Sequence, residues 1–77
     1  MKVRIQNQRD RAIRVVLEPW AYKYILEKDD FIDFVSEGEN AENGFFLVED
    51  DSYAIIVTPE GKVDFVQAYN SKGEAIV

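Results

Sequence analysis

Ala12-Ile13-Arg14-Val15-Val16-Leu17-Glu18-Pro19-Trp20-Ala21-Tyr22-Lys23-Tyr24-Ile25-Leu26 carries two runs of alternating residues on either side of a single break. In the first run Ile13, Val15 and Leu17 share one phase and Arg14 and Val16 take the other, the period of a half-buried strand. Pro19 lacks a backbone N–H and biases Glu18 toward an extended conformation, so the ladder stops there. In the second run Trp20, Tyr22, Tyr24 and Leu26 are in phase, opposite Ala21, Lys23 and Ile25. A helix competes for this run, because Ala, Lys, Leu and Glu suit one. A helix would put Tyr22 and Tyr24 on different faces, whereas period two keeps them together. The stretch therefore predicts strands over 12–17 and 20–26.

The same alternation extends in both directions. Upstream, Lys2 to Gln6 sets Val3 and Ile5 against Lys2, Arg4 and Gln6, and Asn7-Gln8-Arg9-Asp10 reads as a polar turn closing a first hairpin onto Ala12–Leu17. Downstream, Glu27-Lys28-Asp29-Asp30 turns into Phe31–Ser36, where Ile32 and Phe34 alternate with Phe31, Asp33 and Val35. Glu37 to Asn43 is the longest turn-like stretch and the candidate mobile loop. Gly44–Glu49 is dense in Phe45, Phe46, Leu47 and Val48 and is expected to be covered on both faces. Tyr53–Thr58, Val63–Tyr69 and Glu74–Val77 complete the series, separated by turns at 49–52, at Pro59-Glu60-Gly61-Lys62 and at Asn70-Ser71-Lys72-Gly73. Turns at intervals of roughly eight to twelve residues predict an all-β domain spanning residues 1–77, a small antiparallel β-sandwich of about seven strands, with a partly open barrel as the alternative.

At 77 residues the chain has room for one thin core, and five Phe, four Tyr and one Trp must supply much of its burial. It contains no Cys, so neither disulfides nor thiolate metal sites are available, and no His. The N-terminus enters alternation at once without the apolar region of a secretion signal, and no apolar run approaches the roughly 20 residues that span a bilayer. A cytoplasmic protein without membrane contact is expected. The net charge of −6 opposes a phosphate backbone, so nucleic acid is not an expected partner. That average hides an asymmetry: residues 1–28 hold seven Lys and Arg against three acids, and residues 29–77 hold two against twelve. The simplest use of the asymmetry is pairing of basic early strands with acidic later ones. A basic functional patch is the competing use.

Catalysis finds little support. Ser36, Ser52, Thr58 and Ser71 have no His to activate them, and the acidic clusters lie in turns where solvation keeps carboxyl pKa values ordinary. No catalytic residue and no cofactor are assigned. Asp29-Asp30 with Asp33, and Glu49-Asp50-Asp51, offer oxygen ligands to calcium but match no twelve-residue calcium loop, so no metal site is assigned. The most distinctive local feature is Glu18-Pro19-Trp20 followed by Tyr22 and Tyr24. As core, these rings would be the largest pieces of a minimal sandwich. As a surface, Trp20, Tyr22 and Tyr24 form an aromatic binding platform for a partner protein or sugar, and these are the candidate site residues.

With Val3, Ile5, Asn7, Val15, Leu17, Glu18, Pro19, Trp20 and Tyr24 in this order, the chain resembles a group of small uncharacterised bacterial proteins with a Glu-Pro-Trp step after the second strand. The likeness extends more loosely through Ile55-Ile56-Val57 and the segment from Gly61 to Val77. It implies a compact β-sandwich and brings no activity with it. Where those relatives have a Pro-Gly turn before the fourth strand, this chain has Lys28-Asp29-Asp30. The resulting expectation is a non-catalytic binding or accessory module acting through protein–protein contacts, including a possible homodimer through an edge strand or the Tyr22/Tyr24 face. A calcium or other ligand-binding domain, and an acidic mimic that occupies a basic protein surface, are the alternatives.

Overall fold

A computed structural model describes residues 1–38 and 41–76. Among these described residues, eight strands form two four-stranded sheets. They are β1 (Lys2–Gln6), β2 (Ile13–Leu17), β3 (Tyr22–Leu26), β4 (Phe31–Glu37), β5 (Phe45–Asp50), β6 (Ile55–Glu60), β7 (Phe65–Asn70) and β8 (Ala75–Ile76). One sheet runs in the order β1-β4-β7-β8 and the other β3-β2-β6-β5. The fold is thus an all-β sandwich, and neither sheet closes into a barrel.

The core lies where the inward phases of the two sheets meet. Val15, Leu17, Tyr24, Leu26 and Val57 from one layer pack with Ile32, Phe34, Val66 and Ala68 from the other. Phe34 is fully buried, and its ring meets Tyr24 edge-on at 5.6 Å between centroids, so these two side chains join the layers. The alternation read from the sequence fixes the facing residues on β2, β3 and β4. On β7 the inward pair is Val66 and Ala68, which leaves Phe65 exposed.

Several expectations are corrected. The expected first hairpin does not form: β1 pairs antiparallel with β4, and β2 pairs with β3. The reason is Asn7, which is buried rather than at the tip of a turn. Its N–H donates to the Asp30 carbonyl at 2.9 Å and its own carbonyl accepts from Asp29 N–H at 2.9 Å, tying the end of β1 to the β3–β4 turn. The chain then crosses between layers over residues 8–12. Nor is the sandwich wholly antiparallel, because β2 and β6 run parallel, with Val15 opposite Ile55 and Leu17 opposite Val57.

Trp20 lies in the turn before β3, which starts at Tyr22; Ala21 takes a left-handed φ of 59° that interrupts the extended chain. Strand β5 is not covered on both faces. It ends its sheet, with no further strand paired to it among the described residues, and Phe45, Leu47 and Val48 remain exposed. Tyr53 sits in the β5–β6 turn, and Pro59 and Glu60 extend β6 instead of forming the turn, which falls at 61–64. Of the expected mobile loop over 37–43, Glu37 ends β4 and Ala41–Asn43 form a 3-10 turn, while Glu39 and Asn40 lie outside the described residues. Val77, placed in the terminal strand, is also outside them. No helix among the described residues is long and apolar enough to cross a membrane.

Basic early residues do sit beside acidic later ones. Across the β1–β4 register, Arg4 donates to Asp33 in a two-pronged pair, Nε to Oδ1 at 2.8 Å and Nη2 to Oδ2 at 3.0 Å. Its guanidinium lies 3.9 Å over the Phe31 ring, and Lys2 Nζ reaches the same carboxylate at 3.7 Å. Arg9 pairs with Asp50 at 2.9 Å, whereas Lys28 pairs within the early segment itself, with Asp10 at 3.4 Å.

Candidate functional site

The three aromatic residues singled out by the sequence come together at one end of the sandwich. Trp20 follows the Pro19 break and packs half-buried against the core, while Tyr22 and Tyr24 alternate along β3 in one phase, opposite Leu17 and Val15 of β2. The Trp20 and Tyr22 rings stack 6.3 Å apart and 18° from parallel. With Phe65, Gln67 and Ile76 they line a cleft of about 180 Å³ between β3 and the β7–β8 pair.

The three residues do not play equal parts. Tyr24 is 9% exposed, forms the floor and belongs to the core, whereas Tyr22 is 44% exposed and stands at the rim. Burial, with Tyr22 next to it, raises the Tyr24 phenol above its ordinary pKa, so the ring stays neutral throughout the physiological range. Phe65, 52% exposed, faces them from the other sheet. Gln67 is fixed beside it, since its Nε2 donates to the carbonyls of Ala68 and Ile76 at 3.0 Å each.

The three rings are thus divided by depth, with Tyr24 in the core, Trp20 half-buried against it and Tyr22 exposed. Phe65, Gln67 and Ile76 were missed in the sequence because they come from strands far along the chain, and only the pairing of β7 with β8 brings them over β3. The one available signal was Phe65, an aromatic residue out of phase with the buried Val66 and Ala68.

This cleft is suited to holding an apolar or flat group. It contains no acid–base pair and no nucleophile among its lining residues. Elsewhere, acidic side chains are engaged within the protein. Arg4 and Lys2 hold Asp33, Arg9 holds Asp50, and Asp51 Oδ1 accepts from the Tyr53 N–H at 3.1 Å. Among the described residues no group of three or more acidic side chains is gathered as a metal site. No family model, no curated protein and no solved structure matches the chain.

Proposed function

We propose that the protein is a non-catalytic binding module that acts through protein–protein contacts, with the cleft between β3 and β7–β8 as its contact surface. The observation that carries this reading is the convergence of Trp20, Tyr22, Tyr24 and Phe65 on one cleft flanked by β3 and β8, each the last strand of its sheet. An extended partner segment pairs its backbone with such an edge and sets an apolar side chain between the rings. Large, rigid aromatic side chains lose little entropy on binding and dominate the energetics of many interfaces.

The test uses the exposed rim. Tyr22→Ala and Phe65→Ala remove ring surface while leaving the Tyr24–Phe34 contact of the core in place. Wild type and the double variant, both folded by circular dichroism, are immobilised side by side and exposed to native lysate. A protein retained by the wild type and released by the double variant is the expected result. Equal retention by both would overturn the assignment of this cleft.

A further inference from the structure

At the other end of β2, beyond Ile13, a second cleft opens between the segment preceding that strand and the β5–β6 turn. Its volume is about 110 Å³, and Arg9, Arg11 and Arg14 line it together with Asp51, Ser52 and Tyr53. One third of the nine basic residues of an acidic chain thus surround a single small cleft. Arg9 is neutralised by Asp50 at 2.9 Å, but Arg11 and Arg14 enter no ion pair among the described residues. Guanidinium groups around one cleft repel each other, and the arrangement is relieved by an anion between them.

The second observation is that this cleft is built. Asn7 is 1% exposed, and it spends its side chain entirely on the arginine-bearing segment and its support. Its Oδ1 accepts from the Arg9 N–H at 2.9 Å, and its Nδ2 donates to the Arg11 carbonyl at 2.7 Å and the Leu26 carbonyl at 3.0 Å. Arg14 is carried on the β2 ladder. The opposite wall is held too, by paired hydrogen bonds between Asp51 and Ala54 at 2.9 and 3.3 Å. Ser52 and Tyr53 ride on that turn. Asp51 Oδ1 accepts from the Tyr53 N–H at 3.1 Å and the Ser52 hydroxyl at 3.4 Å, which holds this carboxylate to its own turn; it is the one acidic side chain of the lining, against three guanidinium groups.

We propose that the Arg9–Arg11–Arg14 cleft is a binding site for the phosphoryl group of a small phosphate monoester. The guanidinium fork matches phosphate oxygens in two-pronged hydrogen bonds, and a tetrahedral dianion is compact enough for the cleft. The Ser52 hydroxyl turns from Asp51 to become a further donor. This site is separate from the aromatic cleft and does not depend on the reading given to it.

Titration with inorganic phosphate, O-phosphoserine and adenosine 5′-monophosphate at constant ionic strength, followed by the amide and arginine Nε resonances, tests the site. Saturable shifts confined to residues 9–14 and 51–54 are expected, with unphosphorylated serine and chloride producing none. Arg11→Gln and Arg14→Gln, both at exposed positions, should each weaken binding about tenfold. Lys62→Gln, in the β6–β7 turn, should leave it unchanged. Tighter binding of phosphoserine assigns the ester to a modified side chain, and tighter binding of the nucleotide assigns it to a free metabolite. Non-saturating shifts, an equal response to chloride, or undiminished affinity in the Arg11→Gln/Arg14→Gln variant would overturn the proposal.

Discussion

Asn7 shows how one buried polar side chain sets the course of the chain. Burying an amide is unfavourable unless its hydrogen-bonding capacity is met, and here both its oxygen and its nitrogen are engaged. Asn7→Ala removes those bonds and leaves the buried Leu26 carbonyl without its amide donor; a loss of about 3 kcal/mol in urea unfolding is expected. Asp33 makes an electrostatic counterpart. The hydrogen bond from Arg4 holds its carboxyl below the ordinary range, outweighing the opposing effect of burial. The folded state therefore gives up this proton at a lower pH than the unfolded state does. Its stabilisation is complete above the unfolded-state pKa and disappears as pH falls through the folded-state value. Asp33→Asn should accordingly lower stability at neutral pH and flatten the acid limb of a stability–pH profile, and an unchanged acid limb would show that the Arg4 pair adds nothing.

At the scale of elements, the close of the β5–β6 ladder depends on two glycines. Beyond the last pair, Phe45 with Glu60, the chain passes through Gly44 and Gly61. A Cβ on Gly44 would overlap the Glu60 carbonyl oxygen, and one on Gly61, at φ 101°, would come within 2.9 Å of Gly44 Cα. Gly44→Ala is expected to cost about 1–3 kcal/mol by thermal melting, because backbone, not a flexible side chain, must move. Strands were legible wherever alternation decided burial, as in β1, β2 and β4. Partners were less legible. A hairpin between β1 and β2 satisfies the same local pattern as the observed β1–β4 pairing, and nothing in the period distinguishes them; the choice rests on Asn7 contacting the distant Asp29 and Asp30 backbone. The exposure of β5 was hidden for a related reason. Phe45 to Val48 looks like a strand buried on both faces, but its place at the end of a sheet is a property of topology.

For the whole molecule, the same distinction separates the parts of the two clefts that could be read from those that could not. Trp20, Tyr22 and Tyr24 stand close in sequence and share a phase, so their half of the aromatic cleft was visible; Phe65 and Ile76 reach it only through the crossing from β6 to β7 and the β7–β8 pairing. The arginines were visible only as an excess of positive charge near the N-terminus. The core beneath the aromatic cleft is thin, and a few side chains hold the layers together. Phe34 is the largest fully buried one, and it meets Tyr24, the floor of the aromatic cleft. A domain of this size has a total stability of about 4–12 kcal/mol, and truncating a buried Phe removes about 3–5 kcal/mol. Phe34→Ala should therefore bring the protein close to its unfolding threshold, while Phe34→Leu, which keeps most of the volume, should cost much less. Since Trp20 reports the edge of one layer and far-ultraviolet dichroism reports both, Phe34→Ala should lower the two melting curves together if the layers unfold as a unit. A fluorescence transition well below the dichroism transition would show instead that the aromatic cleft opens while the sheets persist.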